Sequence, residues 1–246
     1  MSWITVLSNE PGDVPGALKD VEIWRHEMRR LGWVAPAAPA LVVLVAVAGA
    51  LLANGNGAGR SQLSGVLLTG LEALLPLAVT LAAASVVAVG RVRELHLSLP
   101  TRYAVVLGRR LALLGGATTA VAVVFTVAVW SAGFWYGPTP LLSPLLWAPS
   151  TVWLTSLAVL VGLASRSLLL ATTVPAGVWL GQQLFTPAFT DHDWLRPFYL
   201  FPVTRLDAYP GWVVDRLLLA AVTVPLAVGA AVLLCQPERM LTEEEV

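Results

Sequence analysis

The chain has 246 residues, 57% of them hydrophobic and 12% charged, and its formal net charge is zero. Soluble domains carry about 25% charged residues, so this composition, with a mean hydropathy of +0.76, points away from a water-soluble enzyme and toward an all-α integral membrane protein. Zero net charge argues against nucleic acid as a partner, and the lone cysteine, Cys235, excludes an intrachain disulfide and a cysteine-based metal site.

Residues 1–33 do not read as a cleavable signal, because Glu10, Asp13, Lys19, Asp20 and Glu22 come before any apolar core. Over residues 15–33 the apolar positions Leu18, Val21, Trp24, Met28 and Leu31 recur at intervals of three and four, with Arg25, Arg29 and Arg30 among the charges between them. This predicts an amphipathic helix along the cytoplasmic interface, with Trp24 and Trp33 at headgroup level, serving as an anchor or as a docking surface.

Six apolar runs follow: Val34 to Ala53, Val66 to Val89, Leu111 to Ala132, Leu145 to Ala164, Leu168 to Phe185 and Leu217 to Cys235. Each is read as a transmembrane helix, and no gap between them can hold an independent core, so residues 1–246 form a single transmembrane domain. Both termini are expected in the cytoplasm, and the localisation is the cell membrane. That orientation puts Lys19, Arg25, Arg29, Arg30, Arg91, Arg93, Arg102, Arg109, Arg110, Arg166 and Arg239 inside and leaves only Arg60, Arg196, Arg205 and Arg216 outside. Lys19 is the only lysine and alanine, valine and leucine dominate the runs, a usage that reads as GC-rich bacterial coding.

Between the second and third runs lies a polar stretch, residues 90–110, that holds five of those arginines and Glu94. Leu95, Leu97 and Leu99 precede Pro100, and a helical register beyond it gathers Tyr103, Val106 and Leu107 on one face. The stretch is expected to be a short amphipathic elbow in the cytoplasm. Taken alone it can be a turn that merely fixes topology, or a contact for a partner.

The loops toward the other side differ from one another. Residues 54–65 are rich in glycine and asparagine and predict a flexible connection; Gly55 to Ser61 lack the spacing and lysine of a phosphate-binding loop. Residues 186–216 combine Trp194, Phe198, Tyr199, Phe201, Tyr209 and Trp212 with Pro187, Pro197, Pro202 and Pro210, which predicts short interfacial or re-entrant helices. Such a segment can be an outer gate or an interfacial cover. Asp191, His192 and Asp193 are adjacent in a loop and make a poor metal site, and His26 and His96 have no neighbouring ligands, so no metal centre is expected. Glu72 is the one ionisable residue within a run, at a depth where its carboxylate either serves function or reaches the interface. Pro149, Pro175, Gly177 and Gly181 interrupt the fourth and fifth runs, and Gln182 and Gln183 close the fifth.

The interfacial helix, six spans, elbow and aromatic outer segment together resemble the permease subunits of ABC-2-type exporters over nearly the whole chain. Members of that family commonly carry Glu-Leu, Leu-Pro, Ser/Thr-Arg and a later Gly-Lys/Arg in the elbow, matching Glu94, Leu95, Leu99, Pro100, Thr101, Arg102, Gly108 and Arg109. Where relatives often have a longer acidic lead-in, this chain has Gly90-Arg91-Val92-Arg93. The resemblance implies a dimer of permease subunits working with two separate cytoplasmic ATP-binding subunits, which would hold the ATP and Mg; this chain itself would need no cofactor. It implies that the elbow, with Arg91, Arg93 and the matched residues, couples to the ATPase, and it makes Glu72, Phe198, Tyr199 and Phe201 candidates for the pathway or its gate. Two rivals are weaker: a stand-alone secondary carrier, which would need midplane ionisable groups or internal repeats, and a membrane-embedded enzyme, which would need a nucleophile beside a base.

Overall fold

The computed structural model describes residues 34–89, 103–206 and 209–234, and among these every regular element is a helix. In chain order they are α1 (Val34–Gly55), α2 (Arg60–Thr69), a π-helical turn (Gly70–Leu74), α3 (Leu75–Val89), α4 (Tyr103–Ser131), α5 (Ser143–Ser165), α6 (Leu168–Leu184), the short α7 (Thr186–Thr190) and α8 (Pro202–Leu206), and α9 (Trp212–Leu234). Single 3-10 turns precede α5 and lie between α7 and α8.

Among the described residues five stretches, 37–55, 60–87, 104–131, 140–165 and 212–234, are long and apolar enough to cross a membrane. The sixth apolar helix, α6, has 17 residues, or about 25 Å at 1.5 Å per residue against ~30 Å of hydrocarbon. The chain therefore has the build of a multi-pass membrane protein. Residues 103–110, which the sequence places in the second half of the polar elbow, continue into α4 without a break; Val106, Leu107 and Arg110 are buried there. Residues 90–102 and 15–33, with the expected elbow and interfacial helix, lie outside the described residues.

The helices α3 and α5 form the centre. They pack on each other and both pack on α6; α9 lies against α5, and α1 lies against α2, α3 and α4. Leu71, Leu75, Ala83, Leu114, Leu146 and Leu154 sit in the core, whereas α1 and α9 turn Leu41, Leu44, Leu52, Leu217, Val224 and Val228 outward. An apolar exterior of this kind is matched to lipid and would be costly in water. Gly70 is required where α1 crosses the π turn, since a Cβ there would stand 2.5 Å from the Cβ of Ala46.

The ends of the bundle can be distinguished. At one end the backbone N–H of Tyr136, in the α4–α5 connection, donates to Ser64 Oγ at the start of α2. The aromatic segment after α6 lies at this loop-rich end. At the opposite end Gly162 of α5 sits beside Ala171 of α6 and Val87 of α3, and Arg166 closes α5 in the left-handed region, φ 54°. Hydroxyls along the apolar helices, such as Thr80, Thr118, Thr151 and Thr223, donate to carbonyls four residues earlier, which satisfies them where water is absent.

Candidate functional site: a polar clamp on the aromatic segment

The π turn inserts one extra residue between α2 and α3, so that the Leu75 N–H reaches back to the Gly70 carbonyl. One residue is about 100° of helix rotation. Glu72 lies within this turn and is only 1% exposed. On the same turn the carbonyl of Ala73 accepts from Trp179 Nε1 of α6 at 2.9 Å. Such turns recur at functional positions in helices.

The Glu72 carboxylate has three donors. Arg216 Nη2, from the second turn of α9, meets Oε1 at 2.8 Å. The backbone N–H groups of Val203 and Thr204 donate to Oε1 and Oε2 at 3.0 and 2.7 Å. These are orphan donors of the first turn of α8, and the carboxylate therefore caps that helix from a distant part of the chain.

Arg216 is also 1% exposed. Its Nη1 donates to Ser150 Oγ at 2.8 Å and, at 3.5 Å, to the Tyr199 carbonyl. Its Nη2 donates to the Leu200 carbonyl at 2.8 Å in addition to Glu72. Nε has no partner among the described residues. Gln182, near the end of α6, completes the set: its Nε2 donates to the Phe198 carbonyl at 3.1 Å, and its Oε1 accepts from the Leu200 N–H at 2.8 Å.

These contacts have one physical purpose in common. Residues 199–201 are not helical, yet Tyr199, Leu200 and Phe201 are buried between helices, where unpaired backbone groups cost several kcal/mol each. Ser150, Gln182 and Arg216, from three different helices, supply partners to the backbone of residues 198–200, and Glu72 supplies them to the Val203 and Thr204 N–H groups that follow. Burying an ion pair is repaid only when further hydrogen bonds satisfy both ions, and here the segment's own backbone provides them.

Aromatic packing closes the arrangement. Tyr199 stacks on Phe189 at 5.5 Å between centroids and meets Phe201 edge-on at 5.7 Å, while Trp179 meets Phe201 edge-on at 5.9 Å. The Tyr199 hydroxyl shares a hydrogen bond with Thr186 Oγ1 at 3.2 Å. Nearer the exit of the segment, Tyr209 donates to the Asp215 carboxylate, and the Arg196 guanidinium lies over the Tyr209 ring at 5.9 Å. Partial burial, and then the Asp215 hydrogen bond, push the Tyr209 hydroxyl well above its ordinary pKa.

Of the residues singled out from sequence as pathway or gate, the structure brings together Glu72, Tyr199 and Phe201; the Phe198 ring stays at the surface, 38% exposed, and only its carbonyl joins the clamp. Arg216, Ser150 and Gln182 were not singled out. Arg109 is half-buried on α4, remote in sequence from the clamp. Arg91, Arg93, Glu94, Leu95, Leu99, Pro100, Thr101 and Arg102, and likewise Trp24, Met28, Arg29 and Arg30, lie outside the described residues. Among the described residues no group of three His, Cys, Asp or Glu side chains could hold a metal ion. Comparison of the chain with protein-family models, with curated proteins and with solved structures gave no match.

Proposed function

We propose that the chain is the permease subunit of an ATP-driven exporter of the ABC-2 type in a bacterial cell membrane, with the aromatic segment as a gate at the loop-rich end. In this reading α6 is a sixth crossing, both termini are cytoplasmic, and two permease subunits form the path. Separate cytoplasmic subunits bind ATP and Mg and act through the elbow at residues 90–110, including Glu94 and Arg102.

The observation that carries the reading is the clamp itself. A membrane-embedded ion pair is expensive, and ionisable residues within spans mark functional positions. Here it fastens a segment that lies across one end of the bundle. Force applied at the opposite end can reach it through α3, which runs directly from the π turn to the start of the elbow.

The same geometry weakens the stand-alone carrier. The buried carboxylate is closed on Arg216 and two backbone N–H groups, which is a poor arrangement for an acid that must exchange protons or ions with water in each cycle.

The deciding experiment compares the purified chain with the same chain co-expressed with an ATPase encoded beside it. ATP binding and hydrolysis are expected only in the complex. Hydrolysis by the chain alone would remove the exporter reading, and gradient-driven transport by the chain alone would establish the carrier.

A further inference from the structure

A long groove runs along the membrane-facing side of the bundle between α1 and α4, floored by α2, with a volume of about 790 Å³. Its walls, among them Val47, Leu51, Val124, Phe125 and Leu63, are apolar, and among the described residues Asn54 is the one polar residue that lines it. Along α1 it extends from Ala40 to Asn54 and along α4 from Ala120 to Ala132, which is about 18–21 Å at 1.5 Å per residue. One leaflet, from midplane through headgroups, is about 20–22 Å deep. The groove therefore spans one leaflet, with its polar end at the loop-rich surface.

A cation marks that same end. Arg60 stands one turn before the lining residue Leu63, on the same face of α2, and is exposed. Among the described residues it forms no ion pair, and none of those that line the groove is acidic. An aliphatic trough of leaflet length, with an amide and a guanidinium at its headgroup end, is complementary to an anionic amphiphile.

We propose that this groove is a binding site for one anionic phospholipid of the surrounding leaflet, with its acyl chains between α1 and α4 and its phosphate at Asn54 and Arg60. The site is separate from the clamp and independent of the export reading. Lateral contact with bulk lipid alone would not select a headgroup; this arrangement does.

The test uses the full chain in detergent, titrated with phosphatidylglycerol or with phosphatidylcholine of identical chains, with bound lipid counted by native mass spectrometry. One phosphatidylglycerol should remain bound under conditions that strip phosphatidylcholine. Arg60→Ala should weaken its retention about fivefold, the contribution of one basic residue near an anionic surface. Ala128→Trp, which fills the groove from its lipid side, should abolish retention, whereas Val232→Trp on the exposed face of α9 should not.

Equal retention of the two lipids overturns the proposal. So does undiminished phosphatidylglycerol in Ala128→Trp, which would place the lipid at a headgroup contact outside the groove. A lipid-free dimer that Ala128→Trp breaks would assign the groove to a second copy of the chain instead.

Discussion

Arg216 and Glu72 come from the last helix and the second apolar element, yet their side chains meet at 2.8 Å with 1% of either exposed. Removing one partner from a buried pair typically costs about 3–5 kcal/mol, whereas replacing both by apolar residues is often neutral. That second rule should fail here. Both residues also satisfy backbone groups of residues 199–204, so Glu72→Leu with Arg216→Met would leave two N–H groups and the Tyr199 carbonyl without these partners, and the Leu200 carbonyl with the Ser150 hydroxyl alone. The double variant should melt in detergent no higher than the worse single variant. Recovery to the wild-type midpoint would reduce the clamp to an ordinary ion pair.

If the aromatic segment opens by releasing the clamp, weakening the clamp should expose its inner face. A cysteine at Phe201, a fully buried position, should react slowly with an impermeant thiol reagent in the otherwise native chain. Gln182→Ala removes two hydrogen bonds to the segment, each worth about 0.5–1.5 kcal/mol. Labelling should accelerate about tenfold or more, since tenfold corresponds to 1.4 kcal/mol of opening free energy. With Arg216→Met the acceleration should be larger. Unchanged labelling in both backgrounds would mean that the segment is a fixed cover.

Much of this arrangement was legible in the sequence, and what was not has a definite cause. Apolar runs gave the long helices, because length and hydropathy set membrane crossing directly. Glu72 stood out as an acid inside an apolar run, and Tyr199 and Phe201 as aromatic residues among prolines. Arg216 was hidden because the run from Leu217 to Cys235 starts one residue after it, which left it to be counted among basic residues of an outer loop. Its helix in fact begins at Trp212. The usable signal was complementarity: a lone intramembrane acid asks for a cation, and Arg216 is the basic residue flush against an apolar run on the same side. Ser150 and Gln182 carried no signal, since small hydroxyls and terminal amides are common in apolar helices and acquire their role only from the backbone brought to them. The π turn was invisible for the same reason: periodicity over so short a stretch does not distinguish it from α-helix.

Tyr209 gives a prediction in pH. Its pKa is raised in the folded state, by burial first and by its hydrogen bond to Asp215 second, above an unfolded value near 10. A raised folded-state pKa means that the neutral hydroxyl stabilises the fold fully below about pH 10, and that this contribution is lost as pH climbs from there toward the folded value. Burial also raises the pKa of the Tyr199 hydroxyl, so ultraviolet titration should show two tyrosines ionising late, and Tyr209→Phe should remove one of them. Thermal stability of the variant should be lower at neutral pH by about 1 kcal/mol for the lost hydrogen bond, and its decline above pH 10 should be shallower than that of the native chain. A late-ionising amplitude that is undiminished in Tyr209→Phe would assign the step to other residues.

The elbow supplies the last prediction, which rests on the sequence resemblance because Glu94 and Arg102 lie outside the described residues. A cysteine at Ser98 should be shielded from an impermeant reagent applied outside the cell, while cysteines at Asn56 and Asp193, both at the loop-rich end, should react. With that orientation established, Glu94→Ala and Arg102→Ala can be compared with Asn56→Ala as control, each co-expressed with the ATPase. Neither residue fills a span, so insertion and yield should be unchanged. Loss of one partner of a buried charge pair at a protein interface costs about 2–5 kcal/mol, against ~0–1 kcal/mol for an exposed contact. The larger figure would appear as loss of co-purified ATPase and of ATPase activity dependent on the permease. If both variants behave as the control does, the elbow only orients the chain in the membrane. The clamp at the loop-rich end would then have to be released by something other than a push transmitted from residues 90–110 through α3.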